Sequence, residues 1–380
     1  MTVRKLNLEN RILQFSLEKI MISRILASTF LLSSIALISA CSGQPAGQSG
    51  ESGSTMIQGS GSTFVQPLMV KWASEYGTLN PSVKIDYQST GSGAGIKAIQ
   101  SKTSAFGASD VAMSDKDLAA TKNGEIVHIP VVLGAVVLTY NLPGVDKALN
   151  LSPEVISDIF LGKIKKWSDP KLKTDNPDVT FPNTDILPVY RADGSGTSDI
   201  FTDFLSKTVP EWKETIGRTK NPQLPKGVGI GGKGNEGVMG QVKQNPNSIG
   251  YVELTFAKAN NLPAALIKNK AGKFVEPGSE SVSKAAAGAV ASMPDDLRFE
   301  LTNADGDGAY PISGMVFVLI YKNQEDAAKG KALVDFLWWV THEGTKFVTD
   351  LHYSPLPAEL VARVEQKIGM ISSGGTPLRK

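Results

Sequence analysis

The sequence predicts an α/β fold, because apolar runs of strand length alternate with amphipathic stretches of helix length. Residues 64–76 place large apolar and aromatic side chains on one helical stripe. Residues 83–87 alternate apolar and polar side chains, as a half-buried strand does. Residues 311–321 are mostly apolar, which is typical of a buried strand, and the chain contains no internal repeat.

The other elements follow in chain order. A glycine-rich turn favours a helix over residues 95–101, and residues 126–140 form a long apolar run interrupted by Pro130 and Gly134. Residues 152–154 read Ser-Pro-Glu, which is typical of a helix start. Further elements are expected at residues 186–190 (strand), 199–205 (helix), 250–254 (strand), 283–293 (Ala-rich helix) and 326–340 (amphipathic helix).

The N-terminal segment does not have the pattern of a folded domain. Residues 25–40 form an apolar run that is too short and too rich in Ser and Ala for a membrane span. The run ends Ile-Ser-Ala before Cys41, the one cysteine of the chain, and this order resembles a bacterial lipobox. We therefore predict a lipoprotein signal peptide at residues 1–40, beginning at Met1 or at Met21, and a lipid anchor at Cys41. The alternative is an uncleaved core helix.

A flexible tether is expected after the predicted signal peptide. Residues 41–55 combine Cys41 with a stretch rich in Ser, Gly and Gln.

The charge of the remaining chain limits the kinds of partner. The residues after Ala40 carry 34 basic and 35 acidic side chains, a net charge of −1. This balance gives no basic surface for nucleic acid. The roughly 325 residues that remain are enough for two domains.

The turn after residues 186–190 contains the most specific chemistry. Arg191 ends the apolar run, and Asp193, Ser195, Gly196 and Thr197 follow directly before a predicted helix. The first N–H groups of a helix have no partner within the helix, so they favour an anion in front of them. A guanidinium matches the oxygens of a carboxylate or phosphate, and an aspartate two residues later can hold it in place. The alternative is a strand–helix corner with a Ser or Thr cap.

Three other turns are rich in small residues. They lie at residues 59–64, 91–95 and 106–110, each beside a predicted strand or helix. Glycine at such turns lets backbone N–H groups approach an oxyanion closely, although each turn alone is most often only a turn. Asp110, at the end of the third, has a second interpretation as the N-cap of a helix that starts near Ala112.

The order of these motifs resembles the PstS family, the periplasmic phosphate-binding proteins of phosphate ABC importers. The resemblance covers nearly the whole chain after the signal peptide. It rests on Gly-Ser-Thr-Phe at 61–64, Tyr-Gln-Ser-Thr-Gly-Ser-Gly-Ala-Gly at 87–95, Phe-Gly-Ala-Ser-Asp at 106–110 and Arg-Ala-Asp-Gly-Ser-Gly-Thr-Ser at 191–198. The family resemblance also includes residues 159–167, 231–237 and 248–253, which are expected to lie outside the ligand site.

The resemblance implies a two-lobed periplasmic-binding-protein fold of type II with ligand in the cleft between the lobes. Two crossover strands are expected, near Gly134 and near residues 311–314. The implied division gives lobe I residues 56–133 and 312–380, and lobe II residues 134–311. The implied function is high-affinity binding of inorganic phosphate and its delivery to the permease subunits of a phosphate ABC importer, by a lipid-anchored monomer outside the cytoplasm. No cofactor or metal and no catalysis are implied.

The resemblance also implies the ligand contacts, residue by residue. The phosphate-binding residues would be Thr63, Phe64, Ser92, Asp110, Arg191, Ser195, Gly196 and Thr197, with Asp193 in support. Thr63 and Phe64 would give backbone N–H groups, Thr63 also its hydroxyl, and Asp110 would accept a hydrogen bond from the proton that phosphate keeps. This sequence departs from the family at Val65, where proline is common, and at Gly93, where a second serine is common.

The chemistry of the ligand gives Asp110 a reason to be there. Phosphate near neutral pH is largely a dianion with one hydroxyl, whereas sulfate carries no proton. A buried carboxylate would find a hydrogen-bond donor in phosphate and only repulsion in sulfate, and an unpaired buried charge costs several kcal/mol. Rejection of sulfate by roughly 10³ is then expected.

Two alternative functions remain open from the sequence. A secreted phosphatase would need a nucleophile with a base, or a metal cluster, and the three histidines His128, His342 and His352 are dispersed along the chain without metal-ligand spacing. Residues 227–233 approach a P-loop, but Gly234 stands where Ser or Thr would hold magnesium, which favours a simple turn before a helix near Asn235. The second alternative is a binder of another tetrahedral oxyanion, such as sulfate or molybdate.

Overall fold

A mixed sheet of eight strands forms the centre of the fold. The computed structural model describes residues 54–121, 124–145, 147–290 and 293–379. The predicted signal peptide, Cys41 and the tether up to residue 53 lie outside the described residues. The sheet strands are β1 (Thr55–Gly61), β2 (Val83–Ser89), β3 (Phe106–Ser109), β4 (Ile126–Asn141), β6 (Leu187–Arg191), β7 (Ile230–Gly232), β8 (Ser248–Glu253) and β11 (Ser313–Tyr321).

Helices cover the sheet, and the α/β prediction is confirmed. They are α1 (Gln66–Leu79), α2 (Ser92–Gln100), α3 (Asp115–Ala119), α4 (Pro153–Phe160), α5 (Pro170–Asp175), α6 (Gly196–Thr208), α7 (Pro210–Thr215), α8 (Gly234–Gln244), α9 (Leu254–Ala259), α10 (Ser279–Val290), α11 (Ala327–Thr341) and α12 (Ala358–Gly369). Short strands complete the described chain: β5 (Asn150–Leu151), β9 (Leu266–Lys268), β10 (Phe274–Val275), β12 (Ser372–Ser373) and β13 (Thr376–Pro377). No described helix has the length and apolarity to cross a membrane.

The sheet consists of two strand groups that share β4. The strand order is β2-β1-β3-β11-β4-β8-β6-β7. Residues 126–135 of β4 pair with β11, and residues 136–141 pair with β8, so the partner of β4 changes between Ala135 and Val136. We call β2, β1, β3, β11 and residues 126–135 the first strand group, and residues 136–141, β8, β6 and β7 the second strand group.

The described chain passes between the strand groups along β4 and again as it enters β11. The two passages lie side by side, since the N–H of Val136 donates to the carbonyl of Ile312 at 2.9 Å. Pro130 does not interrupt β4, although it cannot donate to the ladder. It lies at a bulge, because Phe317 pairs with Pro130 and Val316 pairs with Val132. A bulge is a position at which a sheet tolerates proline.

The burial of β4 explains its apolar sequence. All of its residues but Asn141 are buried, because helices lie on both faces of this part of the sheet. Gly134 is needed in this strand for a steric reason. A Cβ atom there would lie 2.5 Å from Cε1 of Phe64 and 3.3 Å from Cδ1 of Tyr353, and both rings are fully buried. The glycine therefore lets two aromatic rings pack against the strand.

Two predicted helix starts differ from the structure. Asp110 is not an N-cap, and no helix starts near Ala112. Helix α3 begins at Asp115 and is capped by Ser114, whose hydroxyl accepts from the N–H of Asp117 in a reciprocal capping box. This cap satisfies two helix-end donors at once, which a cap at Asp110 would not do. Helix α2 begins at Ser92, earlier than the predicted residue 95, because Gly91 at φ +92° makes the turn.

The packing at Gly134 leads to a stability prediction. We expect Gly134→Ala to lower the free energy of unfolding by about 1–3 kcal/mol, because the added methyl group overpacks the Phe64 and Tyr353 rings. Urea denaturation followed by circular dichroism measures this change. Gly240→Ala is the matched control, since a Cβ at this position of α8 meets no atom within 4 Å. It should raise stability by up to about 1 kcal/mol. A Gly134→Ala protein at least as stable as wild type would contradict the packing argument.

Candidate anion-binding site

The predicted ligand residues come together where the two strand groups meet. They lie after the carboxyl ends of β1, β2, β3 and β6, which is the edge where open α/β sheets bind ligands. Each of them is buried. We call this set the junction site; it comprises Thr63, Phe64, Ser92, Asp110, Arg191, Ser195, Gly196 and Thr197, with Asp193 beside it.

Three helices begin at the junction site. Helix α1 follows Phe64, helix α2 begins at Ser92, and helix α6 begins after Ser195, whose hydroxyl accepts from the N–H of Ser198 at 3.0 Å. The first N–H groups of these helices have no acceptor within their own helix, and the dipoles make these ends partially positive. The local folding of the glycine- and serine-rich turns therefore supplies donors for an anion from both strand groups.

The carboxyl group of Asp110 is a hydrogen-bond acceptor for both sides of the junction. The hydroxyl of Ser62 donates to Oδ1, and the hydroxyl of Thr197 donates to Oδ2 at 3.1 Å. The N–H of Asp110 donates to Oγ of Ser92 at 3.2 Å. Burial raises the pKa of Asp110 to about 6, while the hydroxyl of Ser62 and the charge of Arg191 act in the opposite direction. At neutral pH the carboxyl group is thus mostly ionised and able to accept a proton from a ligand.

Arg191 is held by its neighbour from the same turn. Its Nε donates to Oδ1 of Asp193 at 2.8 Å and its Nη2 donates to Oδ2 at 2.7 Å, so the pair is bidentate. Its Nη1 donates to Oγ1 of Thr197 at 3.3 Å. Partial burial of Asp193 works against ionisation, but the Arg191 guanidinium outweighs it and lowers the pKa of Asp193. Such a bidentate pair fixes the plane of the guanidinium and leaves its charge at the site.

The two strand groups touch through glycine residues. The N–H of Gly93 donates to the carbonyl of Gly194 at 2.8 Å, and a Cβ at Gly93 would lie 3.1 Å from the same oxygen. A Cβ at Gly196 would lie 2.5 Å from Oγ of Ser92 and 2.7 Å from Cβ of Asp110. At Gly93 the chain thus makes a backbone contact where the family resemblance implied a serine side chain. These glycines allow the turns of the two groups to approach closely.

Sequence reasoning missed two polar residues of this network, Ser62 and Asn235. Ser62 lies in the Gly-Ser-Thr-Phe motif at residues 61–64, for which the resemblance implied no role at this position, yet its hydroxyl donates to Asp110. Asn235 was placed outside the site, but its Nδ2 donates to Oγ1 of Thr63 at 2.8 Å and to Oγ1 of Thr197 at 3.2 Å. The motif match at residues 231–237 was the available signal. Because residues 231–237 lie far along the chain from Thr63, the sequence did not indicate that Asn235 contacts it.

The remaining polar candidates do not join the junction site. His128 is buried, accepts from the N–H of Met113 at 3.0 Å, and has its pKa lowered to about 4 by burial. Nε2 of His342 lies 3.0 Å from Glu365 at the periphery. Within the described ranges, no group of three or more His, Cys, Asp or Glu side chains is arranged to hold a metal ion. Helix α8 begins at Gly234, so the glycine-rich turn before Asn235 is a helix start, as predicted.

A cavity of about 650 Å³ is lined by Asp110 but by no other residue of the junction site. Its wall includes the first residues of β11 and a group of charged side chains. Two cations of this wall form ion pairs: Arg298 lies 2.7 Å from Asp115, and Lys220 lies 3.7 Å from Asp117. These cations are thus already paired with carboxylates of the chain, unlike the helix ends at the junction site.

Comparisons with known proteins identify similar chains. The family model described as "PBP superfamily domain" matches residues 45–342. The chain is 42% identical over 313 residues to the phosphate-binding protein PstS of Xylella fastidiosa (strain Temecula1 / ATCC 700964), covering 82% of this chain and 84% of that protein. It is 42% identical over 325 residues to the phosphate-binding protein PstS of Pasteurella multocida (strain Pm70), covering 85% and 93%.

A solved structure is similar in fold. It is a putative phosphate ABC transporter substrate-binding protein with bound phosphate from Clostridium perfringens. The two structures superpose with a TM-score of 0.59 at 22% sequence identity, over 80% of this chain and all of that one. This likeness, together with the family model and the two strand groups, confirms the predicted two-lobed α/β fold.

The burial of Asp110 leads to a prediction about stability and pH. Its pKa in the folded protein is about 6, above the ordinary value of 3.8. As pH rises from about 4 to about 6, the unfolded chain releases this proton first, so the contribution of Asp110 to the free energy of unfolding falls by about 3 kcal/mol. Below pH 4 both states are protonated and the contribution is fully present.

The measurement compares wild type with Asp110→Asn by urea unfolding from pH 4 to pH 7 in buffers without phosphate or sulfate. The stability of wild type relative to this variant should fall over that window. Asp178→Asn removes one exposed carboxylate and controls for a change of net charge. A difference between wild type and Asp110→Asn that does not change with pH would refute the raised pKa.

Proposed function

The chain belongs to the PstS family of phosphate-binding proteins, within the PBP superfamily, and from this membership we propose that it binds inorganic phosphate at the junction site and delivers it to the permease of a phosphate ABC importer. The relatives are named as binding proteins, which supports binding without covalent chemistry. The proposal extends the family assignment to particular residues of this chain.

One observation carries the proposal. Helix starts from both strand groups, the guanidinium of Arg191 and the carboxyl group of Asp110 converge in one buried place. Donors from helix ends and a guanidinium favour an oxyanion, and the carboxyl acceptor favours an oxyanion that still carries a proton. Phosphate near neutral pH has both properties.

Each residue has a proposed part in binding. The N–H groups of Thr63 and Phe64 and the hydroxyl of Thr63 donate from the first strand group, together with Ser92. Ser195, Gly196 and Thr197 donate from the start of α6 in the second strand group. Arg191, oriented by Asp193, pairs with the phosphate oxygens. Contacts of these kinds are charge-assisted hydrogen bonds, which are roughly twice as strong as neutral ones.

Asp110 is proposed to select phosphate over sulfate. The hydroxyl groups of Ser62 and Thr197 each donate to one of its oxygens, which holds the carboxylate in place. An ionised, fixed acceptor forms a hydrogen bond with the proton of phosphate and repels the bare oxygens of sulfate. Since water is excluded from a buried site, neither the bond nor the repulsion is screened as it would be at the surface.

We further propose that the two strand groups act as lobes that close on phosphate. The division falls near Gly134 and residues 311–314, with residues 56–133 and 312–380 in lobe I and residues 134–311 in lobe II. The change of β4 partners at Ala135 and Val136 supports a hinge there. Residues 1–40 would direct export of the chain, and Cys41 would anchor it by a lipid at the periplasmic or extracytoplasmic face of a membrane.

A calorimetric titration tests the proposed function. The protein from Ser42 onward is unfolded and refolded to remove bound ligand, then titrated with phosphate and with sulfate. We expect tight one-to-one binding of phosphate and no heat from sulfate. Tight sulfate binding with weak phosphate binding would move the assignment to another oxyanion. Binding of neither ion by the folded protein would refute the oxyanion assignment.

The role of Asp110 has its own test. In Asp110→Asn, an amide can donate to sulfate, and the charge that repels sulfate is gone. We expect the ratio of sulfate to phosphate dissociation constants to fall by about 10²–10³. Competition calorimetry measures both constants, and Asp178→Asn serves as the matched control because that carboxylate is exposed. An unchanged ratio in Asp110→Asn would exclude a selective role for this residue.

A further inference from the structure

Asn235 has a central place in the network around the junction site. It is fully buried as the second residue of α8. Its Oδ1 accepts from the N–H of Glu253 at 2.9 Å. Its Nδ2 donates to Oγ1 of Thr63 at 2.8 Å and to Oγ1 of Thr197 at 3.2 Å. Its backbone N–H also donates to Oγ1 of Thr63, at 3.1 Å. One amide thus connects a residue of each strand group to the end of β8.

The orientation of this amide is fixed by chemistry. The backbone N–H of Glu253 can only donate, so the atom that faces it must be the amide oxygen of Asn235. The NH₂ group then has to face the hydroxyls of Thr63 and Thr197. Rotation of the amide by 180° would place two donors against each other at Glu253, and a lost buried hydrogen bond is costly. The assignment therefore does not depend on distinguishing oxygen from nitrogen by position.

This orientation determines what the Thr63 hydroxyl can do. Its oxygen accepts from both the backbone N–H and the Nδ2 of Asn235. A hydroxyl oxygen has two lone pairs and one proton, so Thr63 has no lone pair left and can only donate. Among the residues the structure describes, no acceptor receives this proton. Thr63 is therefore a donor with its proton free for a ligand oxygen.

The same reasoning applies to Thr197. Its oxygen accepts from Nδ2 of Asn235 at 3.2 Å and from Nη1 of Arg191 at 3.3 Å. Both lone pairs are used, and its proton is directed to Oδ2 of Asp110 at 3.1 Å. Asn235 thus contributes to keeping the Thr197 hydroxyl pointed at the carboxylate, which leaves Asp110 as an acceptor.

We propose that Asn235 is a positioning residue that sets the direction of the hydrogen bonds in the junction site. It makes the Thr63 hydroxyl a donor, which favours an ionised oxygen of the ligand at that corner because an ionised oxygen is the stronger acceptor. It helps to hold the Thr197 hydroxyl as a donor to Asp110, so the one proton of the ligand faces Asp110. The inference rests on the proposed function and deepens it, because it assigns the ionised oxygen to the Thr63 hydroxyl and the protonated oxygen to Asp110.

Asn235→Asp separates this role from a structural one. The substitution keeps the size and the acceptor toward Glu253, but replaces the NH₂ donor by an oxygen acceptor. The hydroxyls of Thr63 and Thr197 would then donate to the new carboxylate instead of to phosphate and Asp110. We expect phosphate affinity at pH 8 to fall by about 100-fold or more, and by less, about 10-fold, in Asn235→Ala. A residue that only tethers the strand groups would give the opposite order.

A double-mutant cycle removes the effect of added charge. Repulsion between the new carboxylate and phosphate would cost the same factor with or without the Thr63 hydroxyl. If the direction of the hydrogen bond matters, most of the loss in Asn235→Asp should disappear in a Thr63→Val background. Titration at lower pH is a second test. Protonation of the new carboxyl group should bring the phosphate affinity of Asn235→Asp closer to that of wild type at the same pH.

The experiment is a phosphate titration by calorimetry of wild type, the single variants and the double variant, at pH 8 and pH 5.5, with folding checked by circular dichroism. Coupling between Asn235→Asp and Thr63→Val of at least about tenfold supports the inference. Equal losses in both backgrounds, with wild type binding phosphate, overturn the inference and leave the proposed function intact. Wild type that binds no phosphate overturns both. If Asn235→Asp does not fold, the same cycle with Asn235→Ala decides by whether its smaller loss of affinity disappears in the Thr63→Val background.

Discussion

The carboxyl group of Asp110 lies where the two strand groups meet, almost without access to water, and the arrangement around it follows from that burial. A buried carboxylate is costly unless donors surround it, and here hydroxyls from both strand groups supply them. One of these donors, the hydroxyl of Thr197, is fixed in turn by Arg191 and Asn235. Desolvation of one acidic group therefore explains why hydrogen-bond donors surround it, and it supports the proposed role of Asp110 as a selective acceptor.

Much of the site was predictable because its chemistry is local in sequence. Arg191 and Asp193 are two residues apart, and the bidentate pair they form is what their spacing suggests. The glycine- and serine-rich turns also fall where helices begin, as their composition indicates. The apolar run over residues 126–140 indicated a buried strand, because a strand buried on both faces has few other sequences available. The passage near Gly134 was implied only by the family resemblance.

The parts that sequence did not reveal depend on contacts between distant residues. Asn235 meets Thr63 across a separation of 172 residues, and the motif match at residues 231–237 did not indicate which distant residue it contacts. Asp110 looked like a helix cap because Asp is common at caps, yet Ser114 with Asp117 makes the better one. Pro130 interrupts the apolar pattern of β4 in the sequence but not the strand in the structure, because a bulge in the pairing with β11 accommodates it.

The division of β4 between two partners has a consequence for how such a protein can change over evolution. The pairing of β4 with β11 ends at Ala135, and its pairing with β8 begins at Val136. A rotation of one strand group relative to the other about these residues would therefore leave the strand pairs within each group intact. In the proposed lobe closure, the free energy difference between the open and closed states would depend on side-chain contacts such as Arg298 with Asp115. Surface substitutions at these contacts can shift ligand affinity through the closure equilibrium, while the residues that recognise the ligand stay unchanged. Affinity and selectivity are therefore separately adjustable in this architecture.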